Sequence, residues 1–129
     1  MHHILVVHPE PSIRIALKEG LSSKTLEVDV AADGAGGLRL NSKGHYDIII
    51  VSLVLPDMGD YEVIHRIHSR WPETVAIAIT EKTAKEESTN GLKHGVSLYL
   101  EKPLEMKSVK DAIARGLEQR ALKHKAPQI

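Results

Sequence analysis

Ser52, His8 and Lys102 supply a hydroxyl nucleophile, a nitrogen base and a cation, the parts from which nucleophilic catalysis is assembled. Glu10, Thr80 and Glu81 add two carboxylates and a second hydroxyl near the same stretches of sequence. A small Ser/His hydrolase is therefore one reading. It is a poor one, because Ser52 lacks a Gly-x-Ser-x-Gly elbow and no acid is evident to orient His8. His65 and His68 stand three residues apart, a spacing that lets one helix face offer two imidazoles to a transition metal. No third ligand is evident beside them, so a solvated helix face accounts for both. Asp33-Gly34-Ala35-Gly36-Gly37 resembles a dinucleotide-binding turn, but Arg39 stands where the third glycine of G-x-G-x-x-G belongs. We expect no metal, no cofactor and no enzymatic activity.

Chemistry at these residues depends on what positions them. Residues 4–7, 48–51 and 75–79 are short, unbroken apolar runs, the pattern of strands covered on both faces in a parallel sheet. Residues 26–30 and 96–100 alternate apolar with polar and read as half-exposed edge strands. Ile13, Leu17 and Leu21 recur with helical spacing after Pro11-Ser12, which places Ser12 near a helix cap. Val63, Ile64, Ile67 and Trp71 form a second stripe, preceded by Asp60 as N-cap and stopped by Pro72. Val109, Ile113 and Leu117 form a third. Two further helices look weak. One carries Gly34, Gly36 and Gly37, each costing roughly 1 kcal/mol relative to Ala, and the other, over residues 84–94, has a thin apolar face. Both are expected to be short or mobile.

The order is β-α repeated five times, which predicts a single doubly wound α/β fold with a five-stranded parallel sheet in the order 2-1-3-4-5. Ligands of such sheets sit beyond the carboxyl ends of the strands. The residues there are His8, Pro9 and Glu10 after strand 1, Ser52 after strand 3, Thr80 and Glu81 after strand 4, and Lys102 after strand 5.

Composition narrows the function. Seventeen basic residues balance seventeen acidic ones, which gives no electrostatic footprint for nucleic acid or an anionic membrane. The absence of cysteine removes disulfides and thiolate chemistry and fits a reducing compartment. The four apolar residues after Met1-His2-His3 are too few for a signal peptide or membrane span. We expect a soluble cytoplasmic domain over residues 1–122 with a tail over 123–129. Arg115, Arg120, Lys123 and Lys125 make the closing stretch basic, as suits a helix end or a tether.

Several segments together carry a family resemblance. Ile-Leu-Val-Val-His-Pro-Glu-Pro-Ser-Ile-Arg (4–14), Tyr46-Asp47-Ile48-Ile49-Ile50-Val51, Leu55-Pro56-Asp57-Met58, Ile79-Thr80 and Tyr99-Leu100-Glu101-Lys102-Pro103 resemble the receiver domains of response regulators in two-component signalling. The resemblance spans about residues 3–120. It implies a site where adjacent acids after strand 1 and an aspartate after strand 3 hold magnesium, and where that aspartate accepts a phosphoryl group. Thr80, Lys102 and Tyr99 match the family's switch hydroxyl, lysine and switch aromatic. His8 and Pro9 stand in place of the acidic pair, Ser52 in place of the acceptor aspartate, and Glu81 in place of a small residue. The resemblance therefore implies a pseudo-receiver whose Lys102 is neutralised by Glu81 or Glu10. It also implies a cis Lys102–Pro103 peptide. Such a module acts by binding proteins without aspartyl phosphorylation: a histidine kinase, an output domain, another signalling protein or a second copy. The face implied is the fourth helix, fifth strand and fifth helix, around Lys93, Tyr99, Lys110 and Asp111. Modification at Ser52, or at Asp57 or Asp60 as a substitute acceptor, is the alternative.

Overall fold

The computed structural model describes residues 1–81 and 94–125, with side-chain surroundings through Leu122. The elements are β1 (His2–Val7), α1 (Pro11–Leu21), β2 (Leu26–Ala31), α2 (Gly34–Lys43), β3 (Ile48–Ser52), α3 (Glu62–Arg70), β4 (Val75–Thr80), β5 (Val96–Glu101) and the last helix, α4 (Met106–Lys125). The weak helix expected at residues 84–94 falls almost wholly outside the described residues. The Lys93 assignment lies outside them too.

All five strands are parallel and run in the order β2-β1-β3-β4-β5, as the sequence predicts. The alternation of side chains sorts the core into two layers. Ile4, Val6, Ile48, Ile50, Val75 and Ile77 point toward α1 and α4, where they meet Leu17, Leu21, Val109 and Ile113. Leu5, Val7, Ile49, Val51, Ala76 and Ala78 point the other way and meet Val63, Ile64 and Ile67 of α3. Small Ala76 and Ala78 face the large α3 residues, and large Ile77 faces α4. With no Phe in the chain, β-branched residues fill the interior.

The helix starts differ from the expected caps. Helix α1 begins at Pro11 with Glu10 as its boundary residue, so Ser12 lies inside the first turn. Proline suits that place because its missing N–H is one the helix leaves unpaired anyway. Helix α3 begins at Glu62 after Tyr61, without a side-chain cap, so Asp60 does not serve as one. Backbone bonds from Glu62 N–H to Gly59 and from His65 N–H to Tyr61 close this turn instead.

The glycine-bearing α2 is a full ten-residue helix. Two carboxylates serve its N-terminus. Asp33 accepts from Gly36 N at 2.7 Å, while Asp57 accepts from Gly34 N at 2.8 Å and Ala35 N at 3.0 Å. The glycines also let the helix approach the sheet, since a Cβ on Gly37 would lie 2.7 Å from Val7 Cγ2. Capping and close packing offset the propensity cost that local sequence alone displays.

At the opposite end of the sheet, Asp47 joins three elements. Its Oδ2 accepts from His3 N at 2.8 Å, and its Oδ1 lies 3.1 Å from Arg120 Nη1 of α4. Arg120 is thus anchored to the start of β3 rather than serving the helix end alone. No helix among the described residues is long and apolar enough to cross a membrane.

Candidate functional site

The site lies at the carboxyl ends of β1, β3, β4 and β5, where the parallel topology brings together residues far apart in sequence. His8 follows β1 and is fully buried. Its Nδ1 accepts from Glu10 N at 3.1 Å, so the proton of the neutral ring resides on Nε2. That nitrogen is buried and has no hydrogen-bond partner among the described residues. Burial, aided by the nearby Lys102 and Arg14 charges and opposed by Glu10 and Glu81, pushes the His8 pKa down to about 4. His8 is accordingly neutral at physiological pH and cannot serve as a counter-cation.

Arg14, one turn into α1, donates from Nη1 to the carbonyls of His8 at 2.8 Å and Pro9 at 2.9 Å. It fixes the loop that follows β1. Its place in the matching 4–14 segment was visible in the sequence, but its bonding was not.

Ser52 ends β3, buried, with its hydroxyl directed at its own chain. Oγ donates to Val54 O at 3.0 Å and accepts from Val54 N at 3.2 Å. This local turn is a common use of serine at a strand end. It leaves Ser52 and His8 without the nucleophile–base hydrogen bond that the hydrolase reading needs.

Thr80 is buried at the end of β4, and its carbonyl accepts from Lys102 N at 3.2 Å. The Lys102–Pro103 peptide is cis. Lys102 Nζ lies 3.4 Å from Glu10 Oε1 and 3.6 Å from Glu81 Oε1. One ammonium thus ties together the loops that follow β1, β4 and β5.

The substitute acceptors are placed otherwise. The Asp57 carboxylate caps α2, and the amides of Ala35 and Gly34 hold its pKa below the ordinary carboxylate range. Asp60 is exposed in the turn before α3. On the other face, Tyr99 is half-buried on β5 with its hydroxyl 3.4 Å from that of Tyr61, and Lys110 and Asp111 are exposed on α4. A cleft of about 250 Å³ runs between β5 and α4, lined by residues that include Tyr99, Asp111 and Arg115.

The paired histidines of α3 do not both face solvent. His65 meets His94 edge-on with ring centres 5.6 Å apart, and His94 stacks on Tyr61 at 5.0 Å. The His68 ring packs against Gly95, whose φ of +92° and lack of a Cβ permit the contact. Even with His94 brought near, no group of three His, Asp or Glu among the described residues is arranged to hold a metal ion.

A family model for the response regulator receiver domain matches residues 4–114. The chain belongs to this family. The receiver is 35% identical over 102 residues to the transcriptional regulatory protein DltR of Streptococcus agalactiae, a match covering 79% of this chain and 46% of that protein. It is 31% identical over 125 residues to the sensor protein EvgS of Escherichia coli, covering 97% of this chain and 10% of that protein. The chain thus spans about half the length of DltR, the regulator it matches. Among solved structures it resembles the Vibrio cholerae chemotaxis protein CheY4, with a TM-score of 0.84 and 28% identity over 91% of this chain and 99% of that one. The five-stranded receiver fold expected from sequence is therefore the fold of the family, and the chain is a receiver of two-component signalling.

Proposed function

We propose that this receiver works without aspartyl phosphorylation, as a pseudo-receiver that relays signals through protein contacts. Position 52 carries the reading. A phosphoacceptor there needs a carboxylate open to a donor, and the residue is a serine whose hydroxyl is bonded to Val54. Two further features support it. Magnesium demands hard oxygen ligands in near-octahedral order. Pro9 offers no side-chain oxygen, and both nearby carboxylates, Glu10 and Glu81, face the Lys102 ammonium. The donor set does not fit the ion. Phosphoryl transfer, which depends on positioning and on charge neutralisation by that metal, then has neither nucleophile nor cofactor.

In this reading residues 1–122 are the receiver unit, acting in the cytoplasm without catalysis. Its partner is a histidine kinase, an output domain or a second copy, docking on the face of β5 and α4 around Tyr99, Lys110 and Asp111. A receiver signals by shifting between surface states, and here the bias comes from sequence and partner rather than phosphate.

Backbone NMR titration with magnesium, then with magnesium and beryllofluoride, tests the proposal. Resonances of Ser52, Thr80 and Lys102 remain unmoved if it holds. Saturable shifts at these residues at millimolar magnesium would overturn it.

A further inference from the structure

We propose that His45 makes the attachment of the last helix to the sheet sensitive to acid. Arg120 of α4 reaches the start of β3 with both terminal nitrogens. Nη1 lies 3.1 Å from Asp47 Oδ1 and Nη2 lies 3.1 Å from His45 Nε2. Its Nε is buried and makes no hydrogen bond among the described residues, so these two contacts are the polar hold on the guanidinium.

A guanidinium carries donors only. His45 Nε2 must therefore accept, which fixes the ring as the neutral tautomer protonated on Nδ1. Uptake of a solvent proton at Nε2 replaces the lone pair with an N–H bond aimed at Arg120. The contact then changes from a hydrogen bond into repulsion between two cations.

Carboxylates stand close to the imidazole. His45 lines a cleft of about 470 Å³ together with Glu27, Asp29 and Asp47. An imidazolium there competes with Arg120 for the Asp47 carboxylate. The other titratable groups around it are also engaged. His2 Nδ1 lies 3.7 Å from Asp47 Oδ2, His3 Nδ1 lies 3.9 Å from Glu27 Oε2, and the Tyr46 hydroxyl donates to Asp29 at 2.7 Å. A proton on His2 would strengthen its pull on the other oxygen of the same Asp47 carboxylate and act in the same direction. Loss of the Arg120 contact frees the final turns of α4 from the start of β3.

Amide hydrogen exchange of residues 120–122 tests this, corrected for the intrinsic effect of pH. Protection in the unaltered chain should fall about three-fold between about pH 7.5 and about pH 5, the scale of losing one partly exposed charged contact. The His45→Gln variant keeps a side-chain acceptor but cannot titrate at that position, so it should lose clearly less protection than the unaltered chain across that range, with only the contribution of His2 left. The same acid loss in His45→Gln, or none in the unaltered chain, overturns the proposal. Imidazole nitrogen spectra add an independent check, since a proton found on His45 Nε2 at neutral pH overturns it as well.

Discussion

The hydroxyl of Ser52 donates to the Val54 carbonyl 3.0 Å away and accepts from the Val54 amide at 3.2 Å. The side chain proposed to replace the family's acceptor is thereby bonded to the turn that follows its own strand. Ser52→Ala should lose both bonds and cost about 1 kcal/mol of stability, read from urea unfolding. Ser52→Asp restores a carboxylate but not its partners at positions 8 and 9. It should remain unphosphorylated by acetyl phosphate with magnesium. Mass spectrometry showing a phosphorylated Ser52→Asp chain would mean that the surrounding residues are not what disables the site.

Lys102 meets Glu10 and Glu81, both more than half exposed. Solvent-screened pairs of this kind contribute little, so Glu10→Gln and Glu81→Gln should each shift stability by less than about 1 kcal/mol. Their effect should instead be on charge. The double variant leaves the ammonium without a carboxylate partner among the described residues and should bind inorganic phosphate more tightly than the unaltered chain. Equal phosphate affinity, by NMR titration of Lys102 and Thr80, would show that the two carboxylates do not guard the site.

The buried imidazole of His8 makes stability depend on pH. Its pKa is pushed down to about 4, whereas the unfolded chain takes up this proton near about pH 6.5. The unfolded state therefore gains the proton first. The stabilisation from neutral His8 is fully present above about pH 6.5, fades as pH falls, and is gone below about pH 4, a total of about 3 kcal/mol. Urea midpoints measured across this range should fall less steeply in His8→Asn. NMR titration of the His8 ring supplies a test independent of that variant's folding, and a midpoint near the ordinary histidine value would refute the claim.

Gly37 lets α2 rest on β1, because a Cβ there would come within 2.7 Å of Val7 Cγ2. Gly37→Ala should improve helix propensity and still destabilise the fold, by about 1–3 kcal/mol, since the core must shift to admit one methyl. Gly59, whose added Cβ would meet nothing within 4 Å, is the control. Thermal unfolding of the two alanine variants should separate them, and similar melting points would show that α2 is not tightly seated.

Much of this molecule is written locally. Unbroken β-branched runs, edge alternation and three helical stripes determined five parallel strands and their order, because burial on both faces, on one face or on a stripe leaves distinct periodicities. The identities of His8, Pro9, Ser52, Glu81 and Lys102 at the strand ends likewise followed from the sequence and its family resemblance. The tertiary structure decided what these side chains touch. Local propensity made α2 look weak, while its second cap comes from Asp57, more than twenty residues away. The Asp60 cap, by contrast, was displaced by local backbone bonds, from Glu62 N–H to Gly59 and from His65 N–H to Tyr61. Arg120 read as part of a basic tail until α4 laid it against Asp47 and His45. Periodicity encodes which face is buried, but hydrogen bonds and ion pairs act over about 3 Å, and proximity on that scale exists only after the chain has folded.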